Sequence, residues 1–179
     1  REELELLSEV YPEFDKKTYL DGNLQPVFFG SALNNFGVRE LLDCFIEIAP
    51  SPRPKMSDTR LVNPEEQKMS GFVFKIHANM DPKHRDRLAF IKIVSGTFER
   101  NKPYNHVRLG KSFKFSSPNA FFAEKKEIVD ISYPGDIVGL HDTGNFKIGD
   151  TLTEGENMNF KGIPSFSPEH FRYINNADP

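Results

Sequence analysis

A serine lies in the turn between an apolar run and an amphipathic helix, a position where nucleophilic chemistry can occur. The turn, residues 30–35, reads GSALNN and contains Ser31. A nucleophile elbow requires glycines two residues before and two residues after the serine, because the backbone bends sharply there. Those positions hold Phe29 and Leu33. The spacing argues against a nucleophile, and we predict no catalytic residue here.

Metal binding has equally little support. No two histidines have the H-x-x-x-H or H-E-x-x-H spacing. The single cysteine, Cys44, excludes an internal disulfide framework and a zinc site built from cysteines. We therefore predict no metal site. The histidines stand singly along the chain, at His77, His84, His106, His141 and His170.

The motifs that bind nucleotide phosphates are also missing. The chain has no G-x-x-x-x-G-K-[ST] sequence, whose backbone N–H groups would surround the phosphates. Residues 136–139 (DIVG) match the short D-x-x-G pattern, but they follow a turn signal and lie in a predicted strand. Residues 101–104 (NKPY) lack the aspartate of N-K-x-D. We interpret both matches as chance.

A long charged loop, residues 79–87 (NMDPKHRDR), separates two predicted strands. It can be a solvated hairpin loop, or it can contact the phosphate backbone of an RNA or a partner protein. Binding residues are often found on loops of this kind, and arginine or lysine binds phosphate without sequence-specific geometry. The candidate contact residues are Lys83, His84, Arg85 and Arg87, alongside Asp81 and Asp86.

The first 50 residues have a helix–strand–helix order typical of an α/β domain. Residues 1–10 and 14–21 are predicted helices separated by Pro12. Residues 25–31 (QPVFFGS) are predicted to form a short buried strand. Residues 37–49 form a predicted helix whose apolar stripe should pack on a sheet.

A proline-rich connector, residues 50–64, marks a domain boundary, and the apolar period changes to two after residue 69. Many short strands with regular turn signals predict an antiparallel β-barrel of about 90 residues. Phe72, Phe74 and Phe90 alternate as core positions should. The predicted strands cover residues 71–79, 87–98, 104–109, 112–115, 125–131, 136–140 and 151–153.

The composition is that of a soluble globular protein, with 37% hydrophobic and 27% charged residues. No apolar stretch reaches the ~20 residues needed to cross a bilayer. With one cysteine and no signal peptide, the chain is expected in the cytoplasm. The net charge of −3 divides into −6 for residues 1–50 and +3 for the remainder, too little to indicate nucleic-acid binding alone.

Three stretches, residues 26–54, 71–108 and 133–172, together resemble the bacterial peptide chain release factor 3 family of translational GTPases. That family is related to elongation factors G and Tu. The stretches ANMDPKHRDR and FKGIPSFSPEHFR are specific to it, whereas GDIVGL and IGDTL occur across translational GTPases.

The resemblance implies an α+β chain in three parts. Residues 1–55 would be the C-terminal α/β remnant of a P-loop GTP-binding domain, 56–159 an antiparallel β-barrel second domain, and 160–179 the start of a third domain. Because the first helix lacks a start and the last residues stop in a strand-like run, we expect a fragment of a longer protein.

The resemblance also assigns a role to the GSAL turn. Ser31, Ala32 and Leu33 would be part of a guanine-base motif, in which the alanine N–H donates to the guanine O6 and the serine steadies the turn. The full-length parent would bind GTP or GDP with magnesium and hydrolyse GTP. This chain lacks the phosphate loop, the switches and N-K-x-D, so we expect it to be no enzyme and to bind no nucleotide.

For the parent, the resemblance implies the ribosome (rRNA and a small-subunit protein) and class I peptide chain release factors as partners. The factor would speed release of class I factors after termination, with the barrel serving docking and transmission. Two alternatives remain open. One is an elongation factor G-type protein, and the other is a free-standing nucleic-acid-binding β-barrel, which would stack bases on exposed aromatic residues.

Overall fold

The computed structural model describes residues 2–78, 87–122, 125–162 and 172–173. The chain divides into two compact units, residues 1–51 and 52–179. The division lies in the proline-rich connector, a few residues before the boundary predicted at 55/56. None of the helices in these described ranges has the length and apolar character that crossing a membrane requires.

The first unit contains three helices: α1 (Glu2–Val10), α2 (Lys16–Leu20) and α3 (Val38–Ile48). All three were predicted, and α2 is shorter than expected at both ends. Its start is set by Asp15, whose carboxylate accepts the Thr18 N–H over 2.7 Å as an N-cap.

The buried strand predicted at residues 25–31 is wrong. The segment forms no strand, and Val27 and Phe29 are 74% and 86% exposed. The predicted packing of α3 on a sheet is also wrong, since Phe45 on its apolar stripe is 59% exposed. A strand needs a neighbouring backbone and an apolar stripe needs a covering sheet. The described residues of this unit provide no strand for either purpose.

All the secondary-structure elements among the described residues of the second unit are strands, and all their pairings are antiparallel. Eight strands form one sheet in the order β7-β6-β12-β3-β4-β11-β8-β9, and two further pairs, β1-β2 and β10-β5, lie beside it. The large sheet curves into a half-barrel, which confirms the predicted fold class. The strands are β1 (Lys55–Met56), β2 (Leu61–Val62), β3 (Ser70–Ala78), β4 (Arg87–Ser95), β5 (Phe98–Glu99), β6 (Pro103–His106), β7 (Lys111–Lys114), β8 (Asn119–Phe122), β9 (Lys125–Ile128), β10 (Ile131–Ser132), β11 (Ile137–Asp142) and β12 (Thr151–Thr153).

A β-bulge in β3 changes which side chains enter the main core. Val73 pairs with Ile91 and Lys75 pairs with Phe90, which leaves Phe74 as an extra residue. After an extra residue the alternation reverses. Val73 and the partly buried Ile76 therefore both contact the main core. The main core consists of Met69, Val73, Ala89, Ile91, Ile93, Phe98, Tyr104, Phe115, Val138, Leu140, Phe146 and Leu152.

Of the three phenylalanines predicted as core positions, Phe72 is confirmed as buried, whereas Phe74 and Phe90 are only half-buried. Phe72 is buried, but in a second, smaller cluster with Val62, Val94, Met158 and Phe160. Phe74 packs against that same cluster, because it lies two residues after Phe72 and side chains two apart in a strand share a face. The sheet is thus apolar on both faces near β3.

Candidate functional site

The turn after Phe29 is a loop closed at its base by two backbone hydrogen bonds. The Ser31 N–H donates to the Phe36 carbonyl over 2.9 Å, and the Phe36 N–H donates back over 3.0 Å. Within the loop, the Asn35 N–H donates to the Ala32 carbonyl over 3.3 Å, and Asn35 has a φ of 52°. The intervening residues therefore have a compact, defined backbone.

Two glycines allow the chain segments at the base of the loop to approach closely. A Cβ atom on Gly30 would lie 2.8 Å from the Phe36 carbonyl oxygen, and one on Gly37 would lie 2.6 Å from the Phe29 carbonyl oxygen. Gly37 also has a φ of 72°, which favours glycine. The two segments at the base of the loop can therefore approach this closely only because neither glycine has a side chain.

The tip of the loop, within the described residues, has backbone N–H groups without a protein acceptor. The Ser31 hydroxyl accepts the Asn34 N–H over 3.3 Å, which ties the turn together. Within the described parts of the chain, the N–H groups of Ala32 and Leu33 donate to no protein acceptor. The Leu33 side chain is 95% exposed. Fixed N–H groups of this kind can bind a carbonyl acceptor such as that of a nucleobase.

Binding of the phosphates and magnesium of a nucleotide would need groups beyond this loop. The sequence has no phosphate-binding loop next to it, and the described residues hold no cluster of three or more His, Cys, Asp or Glu side chains able to bind a metal. Among the described residues, no such cluster is therefore present to hold the magnesium of a bound GTP.

The predicted contact loop lies mostly outside the described residues, which is the case for Lys83, His84 and Arg85. Arg87 is described, at the first position of β4. Its Nη2 lies 3.3 Å from Asp142 Oδ2 and donates to the Phe146 carbonyl over 3.3 Å. The Arg87 guanidinium is thus held by the barrel itself.

Asp142 explains why Arg87 is held there. Its side chain is fully buried, and its Oδ1 accepts the backbone N–H groups of Gly144, Asn145 and Phe146 at 2.9, 2.7 and 3.2 Å. Oδ2 makes no well-directed hydrogen bond and instead faces the arginine as an ion pair. Arg87 therefore neutralises the carboxylate that orders the loop after β11.

A second buried polar group, which sequence reasoning missed, lies at the end of β6. The fully buried His106 has its Nε2 3.1 Å from Asp150 Oδ2, although the direction is poor for a hydrogen bond. Arg108 donates to both Asp150 oxygens, at 2.6 and 2.8 Å, and to the Asn145 carbonyl at 2.7 Å. The Lys147 N–H donates to Asp150 Oδ2 at 2.7 Å. These contacts join the β6–β7 turn to the β11–β12 loop.

The environment lowers the pKa of two of these groups, His106 and Asp150. Burial lowers the pKa of His106, and this outweighs the attraction of the Asp150 carboxylate. Burial pushes the pKa of Asp150 upward, but the hydrogen bonds from Arg108 and the Lys147 N–H outweigh it, so that pKa is lowered. The buried histidine and the arginine–aspartate pair beside it thus connect two loops of the barrel.

Comparisons with known proteins bear on the barrel. Residues 68–155 match the family model described as Elongation factor G domain 2. The fold is also similar to a crystal structure of a protein from Thermus thermophilus, with a TM-score of 0.60 and 20% sequence identity. That match covers 79% of this chain and 19% of the other, so the present chain spans about a fifth of the length of that protein. Residues 68–155 are thus similar to domain 2 of elongation factor G.

Proposed function

We propose that the chain is part of a translational GTPase of the release factor 3 type. In this proposal the whole protein works in the cytoplasm and uses GTP binding and hydrolysis to speed the release of class I release factors from the ribosome after termination. The observation that carries the proposal is the domain 2 match over residues 68–155. The stretch ANMDPKHRDR, within that match, favours the release-factor type over an elongation factor G type.

The barrel would then serve docking and transmission without chemistry of its own. Two buried carboxylates, Asp142 and Asp150, support this role, because both hold loops together. Asp142 orders the loop after β11, and Asp150 joins that loop to the β6–β7 turn. A rigid scaffold of this kind can present a contact loop to a large partner.

The contact loop in this proposal is residues 79–86, with Lys83, His84 and Arg85 as the groups that meet rRNA phosphates. Arg87, which sequence reasoning grouped with them, is better left out. Its guanidinium is already bound to Asp142 and to the Phe146 carbonyl. Reversing its charge would place two carboxylates together and disturb the barrel as well as any ribosome contact.

The test is a double charge reversal, Lys83→Glu with Arg85→Glu, in the full-length protein. We expect weaker binding to the small ribosomal subunit and a shallower dependence of affinity on salt, because fewer phosphate contacts remain. The matched control reverses Lys111 and Lys114, two exposed lysines on β7. Equal affinities of the two double variants across salt concentrations would overturn the assignment of this loop.

The GSAL turn would form one side of a guanine pocket, and Ser31, Ala32 and Leu33 would lie next to the guanine ring. One hydrogen bond is worth about 1 kcal/mol net, so the turn alone should not bind nucleotide measurably. The remaining motifs, and with them GTP, GDP, magnesium and hydrolysis, would belong to other parts of the full-length protein. Isothermal titration of this chain with GDP tests the point, and micromolar binding would contradict it.

A further inference from the structure

The chain leaves the half-barrel beside the segment through which it enters. The incoming segment, residues 55–58, runs antiparallel to the outgoing segment, residues 158–161, with a bridge between Ser57 and Phe160. The Asp58 N–H donates to the Asn159 carbonyl over 2.8 Å, and the Lys161 N–H donates to the Met56 carbonyl over 3.1 Å. These segments lie about 100 residues apart in sequence, so folding of the barrel is what brings them together.

Side chains strengthen this pairing. The Asp58 carboxylate accepts the backbone N–H of Asn159 over 2.9 Å and its side-chain amide over 3.2 Å. One residue pair therefore makes three hydrogen bonds between the incoming and outgoing segments.

A single arginine joins three parts of the chain at the same junction. Arg60 donates through Nε and Nη2 to both oxygens of Glu156, each at 2.8 Å, and through Nη1 and Nη2 to both oxygens of Glu66, each at 2.8 Å. The Asn63 N–H holds Glu66 in place over 2.7 Å. Bidentate ion pairs of this kind fix the geometry of the contact in addition to attracting opposite charges.

Apolar side chains also pack together at this junction. Met158 and Phe160 from the outgoing segment are buried with Val62, which follows the incoming segment, in the second cluster on Phe72. Lys55 lies 5.0 Å from the Phe72 ring centre. Backbone, ionic and apolar contacts thus coincide at one place.

We propose that residues 55–66 and 156–161 form a clasp, which means a unit whose contacts break and form together. Movement of the incoming segment would then move the outgoing segment with it. The incoming segment is preceded by Pro50, Pro52 and Pro54, and closely spaced prolines stiffen a connector. A displacement of that connector would pass directly to the outgoing segment without distortion of the sheet between them. The clasp does not depend on the proposed function, since it rests on contacts within one unit.

The experiment is residue-resolved amide hydrogen exchange on the whole chain and on the variant Arg60→Met. The clasp predicts that the Asp58 and Lys161 amides lose protection together, by at least about tenfold, because the variant removes both bidentate ion pairs of Arg60 and a single charge-assisted contact is already worth about that much. The Val73 and Ile93 amides, which bond to the Asp150 and Asp136 carbonyls in the sheet, should keep their protection.

Controls separate the clasp from general destabilisation. Lys102→Met removes another cation that bridges two carboxylates, those of Glu99 and Glu154, and should leave the Asp58 and Lys161 amides unchanged. Arg60→Lys keeps the charge and loses the bidentate contacts, so it gives a smaller joint loss and replaces Arg60→Met if that variant does not fold. Loss of protection at only one of the two amides, or equally throughout the sheet, would overturn the proposal.

Discussion

Arg87 Nη2 lies 3.3 Å from the carboxylate Oδ2 of the fully buried Asp142. The pair connects the first residue of β4 to the last residue of β11, and those residues are partners in the sheet register. It therefore ties down the end of the charged loop that we propose as a ribosome contact.

Removal of Arg87 should cost stability. Arg87→Met leaves a buried carboxylate without its counterion, and we expect the free energy of unfolding to fall by about 1–3 kcal/mol, less than for a fully buried pair because the arginine is partly exposed. Urea denaturation measures the change. Lys111→Met, at an exposed cation, is the control and should change stability by less than about 0.5 kcal/mol. Equal stabilities of the two variants would show that the pair contributes nothing.

Acid should weaken the barrel in two steps. The pKa of His106 is lowered on folding, so its contribution is present above its unfolded value of about 6.5 and is lost as the pH falls below it. The pKa of Asp150 is also lowered, so its contribution is lost only below about pH 4.

The first acid step identifies His106. Urea denaturation between pH 7 and pH 5 should show a falling free energy of unfolding for the wild type and a flatter profile for His106→Gln, whatever the absolute stability of that variant. Parallel pH profiles for the two proteins would mean that the buried histidine does not control acid sensitivity.

Two glycines with nearly the same backbone conformation should respond differently to alanine. Gly96 and Gly110 have φ values of 63° and 61°. A Cβ on Gly96 would lie 2.4 Å from the carbonyl carbon of Lys68, whereas one on Gly110 would meet nothing within 4 Å. We expect Gly96→Ala to destabilise by roughly 3 kcal/mol and Gly110→Ala by about 1 kcal/mol. Thermal unfolding decides, and similar losses would contradict the contact at Gly96.

The Ala32 N–H should contribute to guanine binding in the full-length protein. Ala32→Pro removes that donor, and we expect about fivefold weaker GDP binding, which corresponds to one hydrogen bond of about 1 kcal/mol. Ala32→Gly keeps the donor and is the control. A fluorescence titration with labelled GDP measures both. Unchanged affinity in Ala32→Pro would remove this residue from the proposed base site.

The sequence predicted barrel strands correctly where local signals, apolar alternation and turn residues, determine the bounds of a strand. Strand β12 has the predicted bounds, and β3 and β4 begin within one residue of prediction, because apolar alternation and turn signals act locally. Strands β1 and β2 were missed, since each has two residues in a polar, proline-rich stretch. The bulge at Phe74 was also missed, because no glycine or other local signal marks the extra residue.

Contacts between residues that lie far apart in the sequence could not be predicted from local patterns. Arg108 and Asp150 are 42 residues apart, and only the sheet brings them together. Locally, Gly149 and Asp150 are residue types that favour a turn, and a turn gives no partner for the carboxylate. The strand predicted at residues 25–31 failed for a related reason, because its apolar run says nothing about whether a neighbouring strand is available.

The central claim, a translational GTPase of the release factor 3 type, is tested most directly by the full-length protein on ribosomes that hold a class I release factor after termination. The account predicts that the protein with GTP speeds dissociation of the class I factor, and that the Lys83→Glu, Arg85→Glu variant does so less well. Dissociation at the same rate with and without the protein and GTP would contradict the account.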